Sequence, residues 1–216
     1  MNIVLFGPPG AGKGTQGDNL VKNFNLFKLS TGDVLRKEIE EKTSLGNKIK
    51  DTIDKGGLIS DENINYLMEK VLSNKQINNR LIFDGYPRNI NQAKVLNLLL
   101  NKNNLKISCV LSLDVDKETV IKRVLGRRLC SNCGLIFNDF FNPADNKNHT
   151  CDSSYLNKRS DDNEKIIRSR FETYLEKTLP ILSYYKEQNL LYQINGLAKI
   201  DVIFKEIQGI IASIET

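Results

Sequence analysis

The chain has 216 residues, 40% of them hydrophobic, enough to bury the core of one compact enzyme domain with small insertions, and no linker divides it into halves. Its formal charge of +5 and its pI of about 8.9 suit an anionic substrate or a nucleic acid without choosing between them. No apolar stretch reaches the roughly 20 residues of a membrane span, and no basic leader precedes the first predicted strand. A soluble, cytoplasmic protein without a membrane partner is therefore expected.

The first predicted strand, Asn2 to Phe6, contains the apolar run Ile3-Val4-Leu5-Phe6 and leads directly into Gly7-Pro8-Pro9-Gly10-Ala11-Gly12-Lys13-Gly14-Thr15, a turn that opens a helix. Glycines let successive backbone N–H groups face phosphate oxygens, the helix presents its positive N-terminus, and one lysine reaches the β- and γ-phosphates. Lys13 is that lysine. The general phosphate-loop pattern has Ser or Thr directly after the lysine, whereas here Gly14 intervenes and the hydroxyl comes at Thr15. That spacing resembles the nucleoside monophosphate kinases more than the GTPases or motor ATPases.

A short strand follows near Phe27 to Leu29, then a helix beginning at Thr31-Gly32-Asp33 and bearing Arg36, and a second helix ending at Gly56-Gly57. Ser60-Asp61-Glu62-Asn63 supplies capping residues for a helix in which Leu67, Val71 and Leu72 recur at helical spacing. Strands are predicted at Arg80 to Phe83 and Ile107 to Asp114, the latter holding Cys109 as a core residue. Asp116 caps a helix with Val120, Ile121, Val124 and Leu125 on one face. A long helix from Asn163 to Gln188 should kink at Pro180, because proline lacks the donor that an intact helix needs. A strand at Leu191 to Ile194 and an amphipathic run to the C-terminus complete the series.

Strands alternating with helices predict an α/β class, a P-loop three-layer fold with a central parallel five-stranded sheet flanked by helices. Two polar, glycine-marked segments interrupt it, residues 30–59 and 126–162, leaving 1–29, 60–125 and 163–216 as the core domain. Insertions on a rigid sheet are where binding and closure usually reside.

Beyond the phosphate loop the sequence carries Ser30-Thr31-Gly32-Asp33, Asp84-Gly85-Tyr86-Pro87-Arg88 with Gln92, Gly126-Arg127-Arg128 before Cys130-Ser131-Asn132-Cys133-Gly134, Arg159-Ser160-Asp161-Asp162, and then Arg168 and Arg170. In this order and spacing the chain resembles the adenylate kinases of the long-lid bacterial type over essentially its whole length. The resemblance implies a magnesium-dependent transfer of a phosphoryl group from ATP to AMP giving two ADP, with residues 30–59 as the AMP-binding insertion and 126–162 as a lid. It implies ATP contacts at Gly10, Ala11, Gly12, Lys13, Gly14, Thr15, Arg123, Arg127, Ile136, Phe137 and Ala198. AMP contacts are implied at Thr31, Arg36, Gly57, Leu58, Ile59, Gly85, Tyr86, Pro87, Arg88, Gln92, Arg159 and Arg170.

Lys13, Arg88, Arg127, Arg159 and Arg170 would carry catalysis by neutralising the transferring group, with Arg88 gripping the AMP phosphate through its planar fork. Arg123 resembles the residue that packs on the donor adenine, with a solvated helix-face charge as the alternative for it and for Arg168. Positioning and electrostatics carry phosphoryl transfer, so no nucleophile or general base is nominated. Asp84, at a strand end, is the candidate for the magnesium-associated acid, with plain turn chemistry beside Gly85 as its alternative. Asp33 is a second candidate for the ion.

Cys130-x-x-Cys133 is half of a zinc knuckle and Cys151 a third thiolate. In zinc-bearing relatives of the resembled family the second half reads Cys-x-x-Cys or Cys-x-x-Asp, but here the fourth position falls on Ser154, a poor ligand. If Zn²⁺ is bound there, the fourth ligand is His149, the single histidine, or Asp152; the alternative is a lid whose polar contacts replace the ion. Competing classes fit less well. A kinase for UMP, CMP or GMP leaves the long cysteine-bearing segment and the Thr31, Gln92 pair unexplained, and a GTPase should show Asn-Lys-x-Asp, which is absent. A zinc-ribbon nucleic-acid binder leaves the phosphate loop without a role. The expected partners are ATP, AMP and ADP, bound by a monomer, and no nucleic acid.

Overall fold

The computed structural model describes residues 1–54, 59–73 and 80–215, apart from the side chains at positions 53 and 54. Five parallel strands form the central sheet: β1 (Asn2–Phe6), β2 (Phe27–Ser30), β3 (Leu81–Asp84), β4 (Cys109–Asp114) and β8 (Leu191–Asn195), in the order β2-β3-β1-β4-β8. The central strand β1 is buried along its whole length, with Val4 registered against Phe83 on one side and Val110 on the other. A strand covered on both faces reads as an uninterrupted apolar run, as Ile3 to Phe6 does. Asn2 locks the register at its start, its side chain accepting from Leu81 N at 3.1 Å and donating to Lys106 O at 2.8 Å.

Side-chain alternation splits the core in two. Val4, Phe6, Leu29, Leu81, Phe83 and Val110 face one cluster, built with α2 (Thr31–Glu40), α3 (Ser44–Asp54), α4 (Asp61–Leu72), α5 (Ile90–Lys102) and α8 (Ile181–Lys186). Ile3, Leu5, Ile82, Leu111, Leu113 and Ile194 face the other, built with α1 (Lys13–Phe24), α6 (Lys117–Leu125), α7 (Glu164–Thr173) and α9 (Ile200–Glu215).

Two departures from the sequence reading stand out. The expected helix from Asn163 to Gln188 is broken rather than kinked: α7 runs into a π-helical turn, Tyr174–Thr178, where Leu179 N bonds Tyr174 O at 2.8 Å, and Pro180 then caps α8. Proline has no donor for the preceding turn, and the chain accommodates this by widening one turn. Residues 127–157 form a second, antiparallel sheet that the sequence did not announce, β5 (Arg127–Cys130), β6 (Ile136–Asn138) and β7 (Leu156–Asn157), in the order β6-β5-β7. The expected helix end at Gly56-Gly57 lies outside the described residues.

Candidate active site

The phosphate loop joins the end of β1 to α1. Among the described residues six α-helices are capped at their N-termini by a side chain: Ser30 on α2, Thr43 on α3, Ser60 on α4, Asn89 on α5, Asp116 on α6 and Asn163 on α7. The first turn of α1 has neither a capping side chain nor an acid, and Gly12 precedes it in the left-handed region. Its free N–H groups and dipole are thus open to an anion. Gly10, at φ 82°, allows the loop to lie against α6, since a Cβ there would meet Val124 Cγ2 at 2.7 Å.

A cleft of about 1160 Å³ opens above the C-terminal ends of the strands. Its floor is Gly10 to Thr15, and its walls include Thr31, Asp33, Arg36, Ile59, Asp84, Gly85, Pro87, Arg88 and Gln92 on the β2–β3 side. Arg123, Arg127, Ile136, Phe137, Arg159, Arg170 and Ala198 close the other side. Tyr86 and Arg168 do not line it. The Tyr86 side chain is buried, its hydroxyl donating to Asn65 Oδ1 at 2.8 Å, so only its backbone is near the cleft. Arg168 lies on the surface, paired with Glu164 and Glu118. Gly57 and Leu58 lie outside the described residues.

The cleft gathers cations that the protein itself does not neutralise. Lys13 Nζ donates to Gly7 O at 2.8 Å and Pro8 O at 2.9 Å, and burial, with Arg88 and Arg127 nearby, pushes its pKa down to about 8 against the opposing pull of Asp84. Arg88 Nε donates to Gly85 O at 2.8 Å, and burial and the charge of Arg170 lower its pKa. Arg159 has a buried Nε without a partner, and burial with the charges of Arg127 and Arg36 takes it down to about 10. Among the described residues none of these three has a carboxylate within ion-pair distance. Arg127 and Arg170 do: Arg127 Nε donates to Asp162 Oδ2 at 2.8 Å, and Arg170 Nη1 to Asp161 Oδ2 at 2.6 Å. Asp33 pairs with Arg36; burial raises its pKa, yet the Arg36 and Ser30 hydrogen bonds and the charge of Arg159 leave it net lowered.

The opposite walls differ in character. Thr31 Oγ1 donates to Gly85 O at 2.9 Å, and Gly85, at φ 81°, has no room for a side chain, since a Cβ would lie 2.7 Å from that hydroxyl. The peptide between Tyr86 and Pro87 is cis. Gln92 is buried and accepts from Arg88 N at 2.7 Å. Across the cleft, Arg123 donates to Ala11 O at 3.2 Å and Gly196 O at 2.9 Å, and lies 5.3 Å from the Phe141 ring centroid. It is therefore anchored beside the phosphate loop and is not a free helix-face charge. A flat guanidinium beside an aromatic ring suits a planar base.

Sequence reasoning missed Phe141, Gln16 and Thr178, which also line the cleft. Thr178, in the π-helical turn, donates to Arg88 O at 2.9 Å and so holds the backbone of that arginine. Only Pro180 hinted at irregularity there.

Beyond the cleft, Cys130, Cys133, His149 and Cys151 bring their ligand atoms within 4.8 Å of one another. A tetrahedral thiolate-bound ion needs sulfurs ~3.8 Å apart, so this set fits a metal ion with little adjustment. Other observations agree. His149 Nε2 is buried without a hydrogen-bond partner, while Cys133 N and Asn132 Nδ2 donate to the Cys130 and Cys151 sulfurs at 3.5 and 3.3 Å. Burial raises the Cys130 thiol, but the hydrogen bond from the Cys133 backbone N–H and its other polar neighbours outweigh it and bring the pKa down to about 6. Asp152 stands outside the cluster, its carboxylate accepting from Ser154 N at 2.8 Å.

A parallel sheet with an uncapped helix behind a phosphate loop, facing a cleft of unneutralised cations large enough for two nucleotides, defines a phosphotransferase of the nucleoside monophosphate kinase class. The family model described as Adenylate kinase matches residues 5–190. Curated adenylate kinases from Pelagibacter ubique, Methanosarcina barkeri and Thermosipho africanus are 44%, 40% and 38% identical, each aligned over 98% of this chain and 98 to 99% of the relative. The chain belongs to the adenylate kinase family.

Proposed function

We propose a division of roles for the reaction that family membership assigns, the reversible transfer of a phosphoryl group from ATP to AMP to give two ADP. ATP enters over α1, its phosphates on Gly10 to Thr15 and its base beside Arg123, Ile136, Phe137 and Ala198. AMP enters on the β2–β3 side, against Thr31, Arg36, Ile59, Gly85 to Arg88 and Gln92. Tyr86 contributes there through its backbone.

The observation that carries this reading is the set of cleft cations that have no carboxylate within ion-pair distance among the described residues, Lys13, Arg88 and Arg159. A buried cation with no counter-ion is held at a cost, and phosphate oxygens remove that cost. Lys13 would bind the β- and γ-phosphates, Arg88 would clamp the AMP phosphate, and Arg127, Arg159 and Arg170 would offset the charge on the group in transit. The ion pairs of Arg127 with Asp162 and Arg170 with Asp161 would keep those two arginines oriented. Mg²⁺ accompanies ATP in this family, and its charge draws electron density from the phosphates when bound. Asp84 lines the cleft and would hold it, with Asp33 in support.

Residues 30–59 and 126–162 would act as the AMP-binding insertion and the lid that exclude water from the donor phosphate. We assign Zn²⁺ to Cys130, Cys133, His149 and Cys151, as a closed structural site away from the chemistry. A monomer is the state we propose, and no helix among the described residues is long and apolar enough to cross a membrane. Cytoplasmic nucleotides are the substrates we propose.

A transfer assay with ATP and Mg²⁺ across AMP, GMP, CMP and UMP tests the assignment. AMP should be preferred by orders of magnitude, because a wrong base leaves buried polar groups unpaired. Equal or faster turnover with CMP or UMP would refute it.

A further inference from the structure

The amide of Gln92 is held by two groups that cannot exchange roles. Its Oε1 accepts from the backbone N–H of Arg88 at 2.7 Å, and its Nε2 donates to Asp61 Oδ1 at 2.7 Å. A backbone N–H only donates and a carboxylate only accepts, so a single amide orientation satisfies both. Asp61 is itself held, accepting from Asn89 Nδ2 at 2.8 and 3.0 Å, while Asn89 Oδ1 accepts from Gln92 N at 2.9 Å. These bonds join the first turn of α4 to the first turn of α5. After they are made, Gln92 retains one lone pair on Oε1 and one proton on Nε2, on a buried side chain that lines the cleft.

A fixed acceptor and donor select the base edge they can meet. A 6-amino purine offers an N–H donor at the amino group and an acceptor at N1, whereas a 6-oxo purine offers an acceptor at O6 and a donor at N1–H. Reading the second would require the amide to flip, turning NH₂ against Arg88 N–H and oxygen against the Asp61 carboxylate. We infer that Asp61 is a positioning residue: it fixes Gln92 in one orientation and thereby sets the preference of the acceptor site for a 6-amino over a 6-oxo purine monophosphate. The inference rests on the proposal that Gln92 faces the acceptor base.

The test compares kcat/KM for AMP and for IMP, at saturating ATP and Mg²⁺, in the wild type and in Asp61→Ala, Asp61→Asn, Ser60→Ala and Gln92→Ala. Asp61→Ala removes one charge-assisted bond from the lock and should lower the AMP/IMP ratio about tenfold while KM for ATP stays unchanged. Asp61→Asn can still accept from Nε2 through its own oxygen and should restore most of the ratio. Ser60→Ala removes the cap of the same helix, so it should lower melting temperature with the ratio intact, which separates selectivity from helix stability. A wild-type ratio in Asp61→Ala, with the ratio lost in Gln92→Ala, overturns the role of Asp61 alone. An unchanged ratio in Gln92→Ala overturns the base-reading proposal beneath it.

Discussion

Replacing Lys13 with methionine removes a cation that the folded chain holds without a counter-ion. Its pKa falls from 10.5 to about 8, which at roughly 1.4 kcal/mol per unit corresponds to about 3 kcal/mol against the charged, folded form. Lys13 is only partly buried by exposed area, so solvent screening reduces this to roughly 2–3 kcal/mol. The variant also loses the bonds to Gly7 O and Pro8 O, worth about 1 kcal/mol together because loop carbonyls can take water instead. Lys13→Met should therefore be more stable than the wild type by about 1–2 kcal/mol at pH 7 without nucleotide, a rise of roughly 2–8 °C in Tm.

The pH dependence has a definite sign. Below the folded pKa of about 8 the wild type carries the full cost of the charge. Between pH 8 and 10.5 the folded chain has lost a proton that the unfolded chain retains, so wild-type stability rises relative to the variant and the gap closes. Calorimetry of both proteins at several pH values measures this. ATP at about 100 times its Kd should then add about 2.7 kcal/mol to the wild type and far less to the variant, reversing the order. A variant that melts below the wild type at pH 7 without nucleotide refutes the reasoning, as does a gap independent of pH.

Thr178→Val removes the bond to Arg88 O and should raise KM for AMP by about 3- to 10-fold with KM for ATP unchanged; steady-state kinetics in which both constants rise would show a general packing defect instead. Elemental analysis of protein purified without chelator should find about one zinc per chain, lost in His149→Ala and retained in Asp152→Ala. Removing that zinc should lower Tm more than it lowers kcat, and a metal-free protein whose Tm is unaffected by Cys130→Ser would falsify the site.

The three inner strands of the central sheet were legible because each is a mainly apolar, buried run, and the phosphate loop because its glycines and lysine are contiguous. The small antiparallel sheet was not. Its strands are two to four residues long and carry Arg127, Arg128 and Asn157, so no alternation could develop. The choice between His149 and Asp152 was equally closed to spacing. The structure separates them through a local turn: the Asp145 carboxylate accepts from Lys147 N and Asn148 N, His149 N bonds Asp145 O at 2.8 Å, and the imidazole packs on Phe137 at 4.8 Å. The lock of Asp61 on Gln92 spans 31 positions and leaves no local signal. Thr178 and Arg88 meet across 90.

The division of the core by the central sheet bears on how such an enzyme can change over generations. Leu35, Ile64 and Ala93, which support the elements bearing Thr31, Arg36 and Gln92, belong to one cluster; Ala11, Leu20 and Val124, which support the phosphate loop and Arg123, belong to the other. Odd and even residues of a single strand thus report to different sides. On the proposed division of roles, trimming methyl groups at Leu96 or Met68 would loosen first the cluster behind the acceptor side. A mutation at Ile207 or Ile211 does the converse. On the same proposal, the two nucleotide affinities would be open to separate selection within one continuous sheet.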